Sequence, residues 1–290
     1  MGGRVVIVGP GRMGLALGAA LVRAGHAEAI TFMGRGREPP PHPLFELGDH
    51  AVGYMAGPVR PPEDTSVLIL AVPDAALPAT ANELALAGAA PPGCVAFHLA
   101  GAISTEVLSP LHAAGYAVGS LHPLQTVADP WAAGERLFGA AYALAGEPAA
   151  VAVGRRIIDA LRGRAIVVPP ALRPVYHAGA VIASNFLVTL IAYAARQLQA
   201  TGLSEREALE ALLPLLRGTI DNIEHLGLSM ALTGPIARGD ADTVRLHLAR
   251  LSPEDRSLYC RLGRETLRIA VAAGLDAELA AELESLLAVD

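Results

Sequence analysis

Among the side chains able to move a proton near neutral pH, His122 stands in the most suggestive setting. It opens the segment His122-Pro123-Leu124-Gln125-Thr126 at the end of an apolar run of strand length. An imidazole there can serve as acid or base near neutrality, although a histidine that bonds a backbone carbonyl at a strand end has the same look. A second group lies downstream. His177, Ser184 and Asn185 are spaced by seven and eight residues from the histidine, which puts all three on one face of a 3.6-residue helix together with Val181 and Val188. An apolar stripe with a few polar groups suits a small-molecule pocket; it equally suits a buried helix whose polar groups are satisfied. Further on, Leu232-Thr233-Gly234-Pro235-Ile236-Ala237-Arg238-Gly239-Asp240 reads as a turn. Arg238 in it could clamp a substrate carboxylate, and Asp240 could cap the next helix. Thr243 and His247 then stand four apart on one helical face.

The inventory also excludes chemistry. All 22 basic residues are arginine, so Schiff-base catalysis and proton transfer through a lysine are unavailable; arginine is too basic to substitute. The nine histidines and two cysteines show no HxH, HExxH or paired-cysteine spacing, and metal binding is not expected. No GxSxG nucleophile elbow occurs.

The first residues carry the signature of a cofactor site. Val5-Val6-Ile7-Val8 runs into Gly9-Pro10-Gly11-Arg12-Met13-Gly14, a GxGxxG match placed between a strand and a helix. Gly9 permits the tight turn, Gly11 lets a pyrophosphate approach the backbone, and Gly14 lets the helix pack on the strand. An NAD site would place Asp or Glu at the end of the second strand. Here that strand ends Phe32-Met33-Gly34-Arg35-Gly36-Arg37, with no carboxylate before Glu38. Arg35 and Arg37 favour a 2'-phosphate, hence NADP(H). Val72, Pro73, Ala100 and Gly101, at two other strand ends, are expected to line the same cofactor.

The elements that must position these groups follow from the patterning. Short apolar runs at 4–8, 29–33, 67–72, 94–99, 117–121, 140–144 and 164–168 alternate with helical segments at 13–24 and 148–161. This is the pattern of an α/β, doubly wound Rossmann sheet covered on both faces. The proline-rich stretch around 39–43 makes an intact second helix doubtful. From Pro170 the pattern becomes all-helical: about 174–201, 204–227 opened by the capping box Ser204-Glu205-Arg206-Glu207, 241–251 capped by Asp240, 255–273 and 277–287. The expected division is a Rossmann dinucleotide-binding domain over 1–169 and a helical substrate and dimerisation domain over 170–290.

A 290-residue chain with 52% hydrophobic and 17% charged residues can bury two cores. Its net charge of -6, without a basic run, argues against a nucleic-acid partner. The stretch 178–195 reaches the lower length of a membrane span; with Ser184, Asn185, Thr189 and Tyr193 inside it, it is read as a central helix buried among others. Cys94 and Cys260 read as reduced, buried thiols, and with no signal-peptide pattern the expected location is cytoplasmic.

The motifs together resemble a bacterial family that joins a Rossmann-like NADP-binding domain to a C-terminal domain of unknown function. That family is related to pyrroline-5-carboxylate reductase within the 6-phosphogluconate dehydrogenase-like superfamily. The segments that carry the resemblance are VGPGRMG at 8–14, AVPD at 71–74, HLAGA at 98–102, HPLQT at 122–126, YHAGAVIASNF at 176–186 and LTGPIARGD at 232–240, followed by Thr243 and His247. The resemblance implies a helical C-terminal domain that forms a homodimer, with substrate between the domains. Hydroxyacid dehydrogenases and ketopantoate reductases of the superfamily use a lysine that this chain lacks. The His122-Pro123 pair also resembles the HPM segment of prephenate dehydrogenases, in which a histidine acts on the substrate.

The resulting expectation is an NADP(H)-dependent oxidoreductase reducing a C=N or C=O bond of a small metabolite, carboxylated ones included. His122 is first choice for acid/base work and His177 second. Ser184 and Asn185 would orient the substrate, and Arg238, Thr243 and His247 would line its site. A prephenate-like dehydrogenase using His122 and a non-catalytic NADP(H)-binding sensor stay open.

Overall fold

The computed structural model describes residues 3–46, 52–129, 131 and 134–288. Its eight strands are β1 (Arg4–Val8), β2 (Ala29–Gly34), β3 (Val52–Ala56), β4 (Thr65–Leu70), β5 (Val95–His98), β6 (Ala117–Pro123), β7 (Ala141–Gly146) and β8 (Arg164–Ile166). They form one sheet in the order β3-β2-β1-β4-β5-β6-β7-β8. The helices are α1 (Arg12–Arg23), α2 (Leu77–Leu86), α3 (Ser109–Ala113), α4 (Pro148–Ala160), α5 (Arg173–Val181), α6 (Leu187–Gln199), α7 (Glu205–Ala231), α8 (Pro235–Arg238), α9 (Ala241–Arg250), α10 (Pro253–Ala272) and α11 (Ala277–Leu287).

The continuous apolar strands have a simple cause: alternate residues enter two cores. Val5, Ile7, Val67, Ile69, Val95 and Phe97 pack with Leu17, Leu21 and Ile157 of α1 and α4. Val6, Val8, Leu68, Leu70 and Ala96 pack with Leu77, Ala81, Leu84 and Leu111 of α2 and α3. Each fully buried aliphatic side chain is worth about 1.5–3 kcal/mol, so no polar alternation is tolerated in these strands. All strand pairs are parallel except β6–β7, which is antiparallel. The edge strand β3 follows the proline-rich stretch, where a short 3-10 turn (Pro43–Phe45) replaces a second helix. Its residues Val52 to Met55 are only half-buried and Ala56 is exposed, as suits an edge.

The chain divides into two compact units, Met1–Ser184 and Asn185–Asp290. The strands stop at Ile166, and α5 belongs with the sheet. In the second unit α6 and α7 pack through Ala195, Ala208 and Leu212, and Ile236, Val244, Cys260, Leu267 and Leu283 form a separate core of α8 to α11. Ser204 and Glu207 make the expected reciprocal capping box. α7 breaks at Gly227 (φ 74°, ψ 173°), the expected end of this helix, and a short helical stretch continues beyond the kink to Ala231.

The stretch Pro170–Gln199 is long and apolar enough to cross a membrane by length and composition. The expectation that it lies buried among other helices is not met: within it only Arg173 and Ala195 are buried. Ala195 packs with α7, with Ala194 and Leu198 partly buried beside it, whereas Phe186, Leu187, Val188 and Leu190 are exposed.

Candidate functional site

The glycine loop between β1 and α1 forms one wall of a cleft of about 690 Å³ at the carboxyl ends of β1, β2 and β4. β1 is flanked by β2 on one side and β4 on the other, so the cleft lies at the switch point where α/β sheets bind ligands. Its lining includes Gly9, Pro10, Gly11, Gly34, Arg35, Val72 and Pro73, all expected from the sequence, together with Glu38, Tyr54, Thr80 and Glu83. Each glycine has a separate job. Gly9 adopts φ +99°, and a methyl group there would lie 2.6 Å from the Ala71 carbonyl oxygen. A methyl on Gly14 would collide with the Gly9 carbonyl oxygen, whereas one on Gly11 would meet no atom within 4 Å. The space over Gly11 opens at the first turn of α1, whose N-terminus has neither a side-chain cap nor an acidic residue in its first turn. Free amides and the positive helix end there fit a phosphate.

At the end of β2 the Tyr54 hydroxyl donates to the Gly36 carbonyl at 2.9 Å, fastening the loop that carries Arg35 and Glu38 to β3. Arg35 and Arg37 are both exposed, and only Arg35 lines the cleft. Glu38 lines it too, so the cleft offers a cation and a carboxylate at the position that separates NADP from NAD. Arg12, Met13 and Gly14 do not line the cleft; Arg12 is exposed, Met13 packs on the core and Gly14 is buried.

Ala100 and Gly101 also lie outside that cleft's lining and belong to a second group, at the ends of β5 and β6. Here the structure brings His122 and His177 together, with ring centroids 5.8 Å apart. A methyl on Gly101 would collide with His177 Nδ1 and lie 2.9 Å from His122 Nε2, so the glycine makes room for both rings. Three further residues, not singled out from the sequence, complete the group. Tyr176 places its hydroxyl 2.8 Å from His122 Nδ1. Arg173 is 1% exposed, and donates to Ser120 Oγ at 2.9 Å and to the Ala100 carbonyl at 2.8 Å. His98, wholly buried, accepts from the Ala100 N–H at 3.2 Å through Nδ1.

Electrostatics follow from burial and from the unusual arginine. No carboxylate among the described residues bonds to Arg173, and its Nε has no partner. Leaving a buried guanidinium unpaired is costly, and the two hydrogen bonds that rivet α5 to the β5 and β6 ends offset part of that cost. Burial pushes the His122 imidazole down to about 4, helped by His177 and Arg173. His98 is likewise held at about 4 by burial and by the Arg173 and His122 charges. Both rings are therefore neutral at physiological pH. His98 Nε2 and His177 Nδ1 are buried without a hydrogen-bond partner. The arrangement can donate or accept a proton at the β5–β6 end and favours an electron-rich ligand there.

Ser184 and Asn185 sit in a π turn over Ile182–Phe186. A π turn adds a residue to the helical repeat, so the face that uniform 3.6-residue spacing shares among His177, Ser184 and Asn185 no longer follows from their spacing. In the second unit, Asp240 caps α9, accepting from the Thr243 N–H at 3.0 Å and its hydroxyl at 2.7 Å. His247 Nδ1 lies 2.9 Å from the Tyr259 hydroxyl, and Arg238 is exposed at the end of α8. Among the described residues no group of three or more His, Cys, Asp or Glu side chains could hold a metal ion.

The fold and cleft define an α/β Rossmann protein with a helical C-terminal region. The comparisons make this specific: a model of the Rossmann-like domain matches residues 56–123, and one of a domain of unknown function (DUF2520) matches residues 140–266. This is the two-part combination that the sequence motifs resemble. No curated protein matches the chain. Among solved structures, protein TM1727 from Thermotoga maritima is 23% identical, with TM-score 0.69 over 92% of this chain and 98% of its own. Protein BF3122 from Bacteroides fragilis is 22% identical, with TM-score 0.70 over 92% and 98%. The Plasmodium falciparum pyrroline carboxylate reductase, solved with NADP bound, is 12% identical, with TM-score 0.58 over 99% of this chain and 98% of that one. At these identities the likeness is one of fold.

Proposed function

We propose that the protein is an NADP(H)-dependent oxidoreductase that reduces a C=N or C=O bond of a small metabolite. The observation that carries this reading is the cleft at the switch point, with open space over Gly11 at an uncapped helix N-terminus and Arg35 at the end of β2. Structural neighbours that handle the same cofactor, such as the NADP-bound pyrroline carboxylate reductase, support it. Gly9, Gly11 and the first turn of α1 would hold the pyrophosphate, and Arg35 the 2'-phosphate. Bound NADPH would supply hydride to the electrophilic carbon of the substrate. The chain's own part is to orient that carbon and to deliver a proton to the developing nitrogen or oxygen. Past the cleft's β4 wall the next strand ends, β5 and β6, carry the histidine group, and His122 is the residue assigned to the proton.

The cofactor choice is tested by titrating wild type and Arg35→Ala/Arg37→Ala with NADPH and NADH. Loss of the 2'-phosphate contact is expected to weaken NADPH binding by roughly tenfold or more, about 1.4 kcal/mol, with NADH little changed. Equal loss for both nucleotides, or none for NADPH, contradicts the assignment to NADP.

A homodimer through the helical region belongs to the same proposal. Within the second unit Val188, Leu215, Leu228 and Met230 are 68%, 65%, 67% and 71% exposed. Apolar surface on this scale calls for a partner surface, and a second copy supplies one of matching character. Sedimentation equilibrium is expected to give twice the chain mass; a monomer at micromolar concentration would rule the dimer out.

A further inference from the structure

The His122–Tyr176 contact goes beyond a generic acid/base histidine. We propose that Tyr176 donates its phenolic O–H to His122 Nδ1, fixing the Nε2–H tautomer and making the pair a proton relay directed at the Gly101 end of the site. The inference deepens the reductase reading and rests on it for its catalytic consequence, though not for the hydrogen bond itself.

Three observations support the direction of the bond. The hydroxyl and Nδ1 are 2.8 Å apart, and the rings are perpendicular rather than stacked, at 89°. A phenol is a better donor than a neutral imidazole, and an imidazole nitrogen a better acceptor than a phenol oxygen. The opposite ring nitrogen, Nε2, is the one beside Gly101, whose missing side chain leaves room for it. The charged and titratable groups that face His122 are His177, Arg173 and Tyr176 on α5 and His98 on β5; no carboxylate stands among them to hold an imidazolium. His122 therefore cannot keep a ready charge, and a neutral ring can deliver a proton without becoming an anion only if it receives one in the same event.

Tyr176 fills that need. With hydride supplied by NADPH when it is bound, the His122 Nε2–H bond would break and its proton would pass to the substrate nitrogen or oxygen. The Tyr176 O–H bond breaks as its proton passes to Nδ1. His122 ends neutral in the Nδ1–H form, and Tyr176 ends as tyrosinate. Burial raises the Tyr176 hydroxyl above the ordinary phenol value, and the Arg173 charge, one helical turn before it on α5, works against that rise. A proton from solvent then reaches Nε2 as the Nδ1 proton returns to the Tyr176 oxygen, which restores the starting state. The uncompensated guanidinium thus acquires a use: it stabilises the charge that the relay leaves behind.

Long-range proton–nitrogen NMR correlation on the full chain labelled with nitrogen-15 at histidine tests the relay without substrate or cofactor. The His122 signals are assigned by their loss in His122→Gln. The expected wild-type pattern is a protonated Nε2 and a bare Nδ1, with no imidazolium between about pH 5 and 8. In Tyr176→Phe, the Nδ1 resonance should move part-way towards the protonated position as both tautomers become populated. A protonated Nδ1 in wild type, or an unmoved Nδ1 in a folded Tyr176→Phe, overturns the proposal; if that variant does not fold, the wild-type tautomer alone decides. Where an imine or ketone substrate is turned over, Tyr176→Phe should lower kcat by about 10²-fold with KM and NADPH affinity retained. Failure to bind NADPH would sink the reductase reading and leave the tautomer result standing, so the two failures are distinguishable.

Discussion

Gly11→Val is expected to remove nucleotide binding while leaving the protein folded. Gly11 has an extended backbone (φ -83°, ψ -174°) that any residue can adopt, and a methyl there meets nothing within 4 Å. The substitution therefore costs little stability, within about 0.5 kcal/mol as for an unstrained surface change. The same side chain fills the space over the first turn of α1, where a pyrophosphate must reach the amides. NADPH affinity should fall by at least about 10²-fold, or ~2.7 kcal/mol, with the melting temperature almost unchanged. Gly9→Ala and Gly14→Ala cannot make this distinction. The first forces a side chain onto φ +99° against Ala71, and the second drives one into the Gly9 carbonyl; both should lose the fold along with the ligand. Fluorescence titration beside thermal unfolding separates the cases, and unchanged NADPH affinity in a folded Gly11→Val would contradict the site.

His122→Ala is expected to lower kcat by about 10²–10⁴-fold, the usual contribution of a positioned general acid, with NADPH binding preserved because His122 lies outside the cleft lining. The pH profile provides a second check. Burial holds His122 near 4, well below the ordinary imidazole value. The ring is therefore neutral above about pH 5, and wild-type kcat should show no inflection from this residue near pH 6.5. Any loss assigned to its protonation should appear only as pH falls towards 4. An inflection near 6.5 that disappears in His122→Ala would mean that the charged imidazole is the acid, and unchanged activity in the variant would remove His122 from the chemistry.

Legibility in the sequence followed locality. β1, α11 and the capping box at Ser204 were readable because each is specified by neighbouring residues: an apolar run, an amphipathic repeat, and a Ser-x-x-Glu spacing. The glycine loop was readable for the same reason. β3 was not, because its short run is interrupted by Gly53 and its identity comes from pairing with β2. Arg173, Tyr176 and His98 were missed as site residues because their roles are long-range: Arg173 bonds across 53 and 73 residues, and Tyr176 across 54. A cue did exist. Tyr176 adjoins His177 in the YHAGAVIASNF segment, and His98 opens HLAGA, but only the fold brings these segments to one strand end. The π turn at Ile182–Phe186 left no periodicity signal in advance, since Ser184 and Asn185 fit the polar positions of an ordinary helix equally well.

Equilibrium titration of the wild-type protein with NADPH and NADH tests the reductase-type NADP(H) site on the Rossmann sheet. Saturable binding of NADPH, tighter than that of NADH, is expected. Absence of binding by either nucleotide would contradict it, reducing the loop at Gly9–Gly14 to a structural turn and removing the basis for an oxidoreductase.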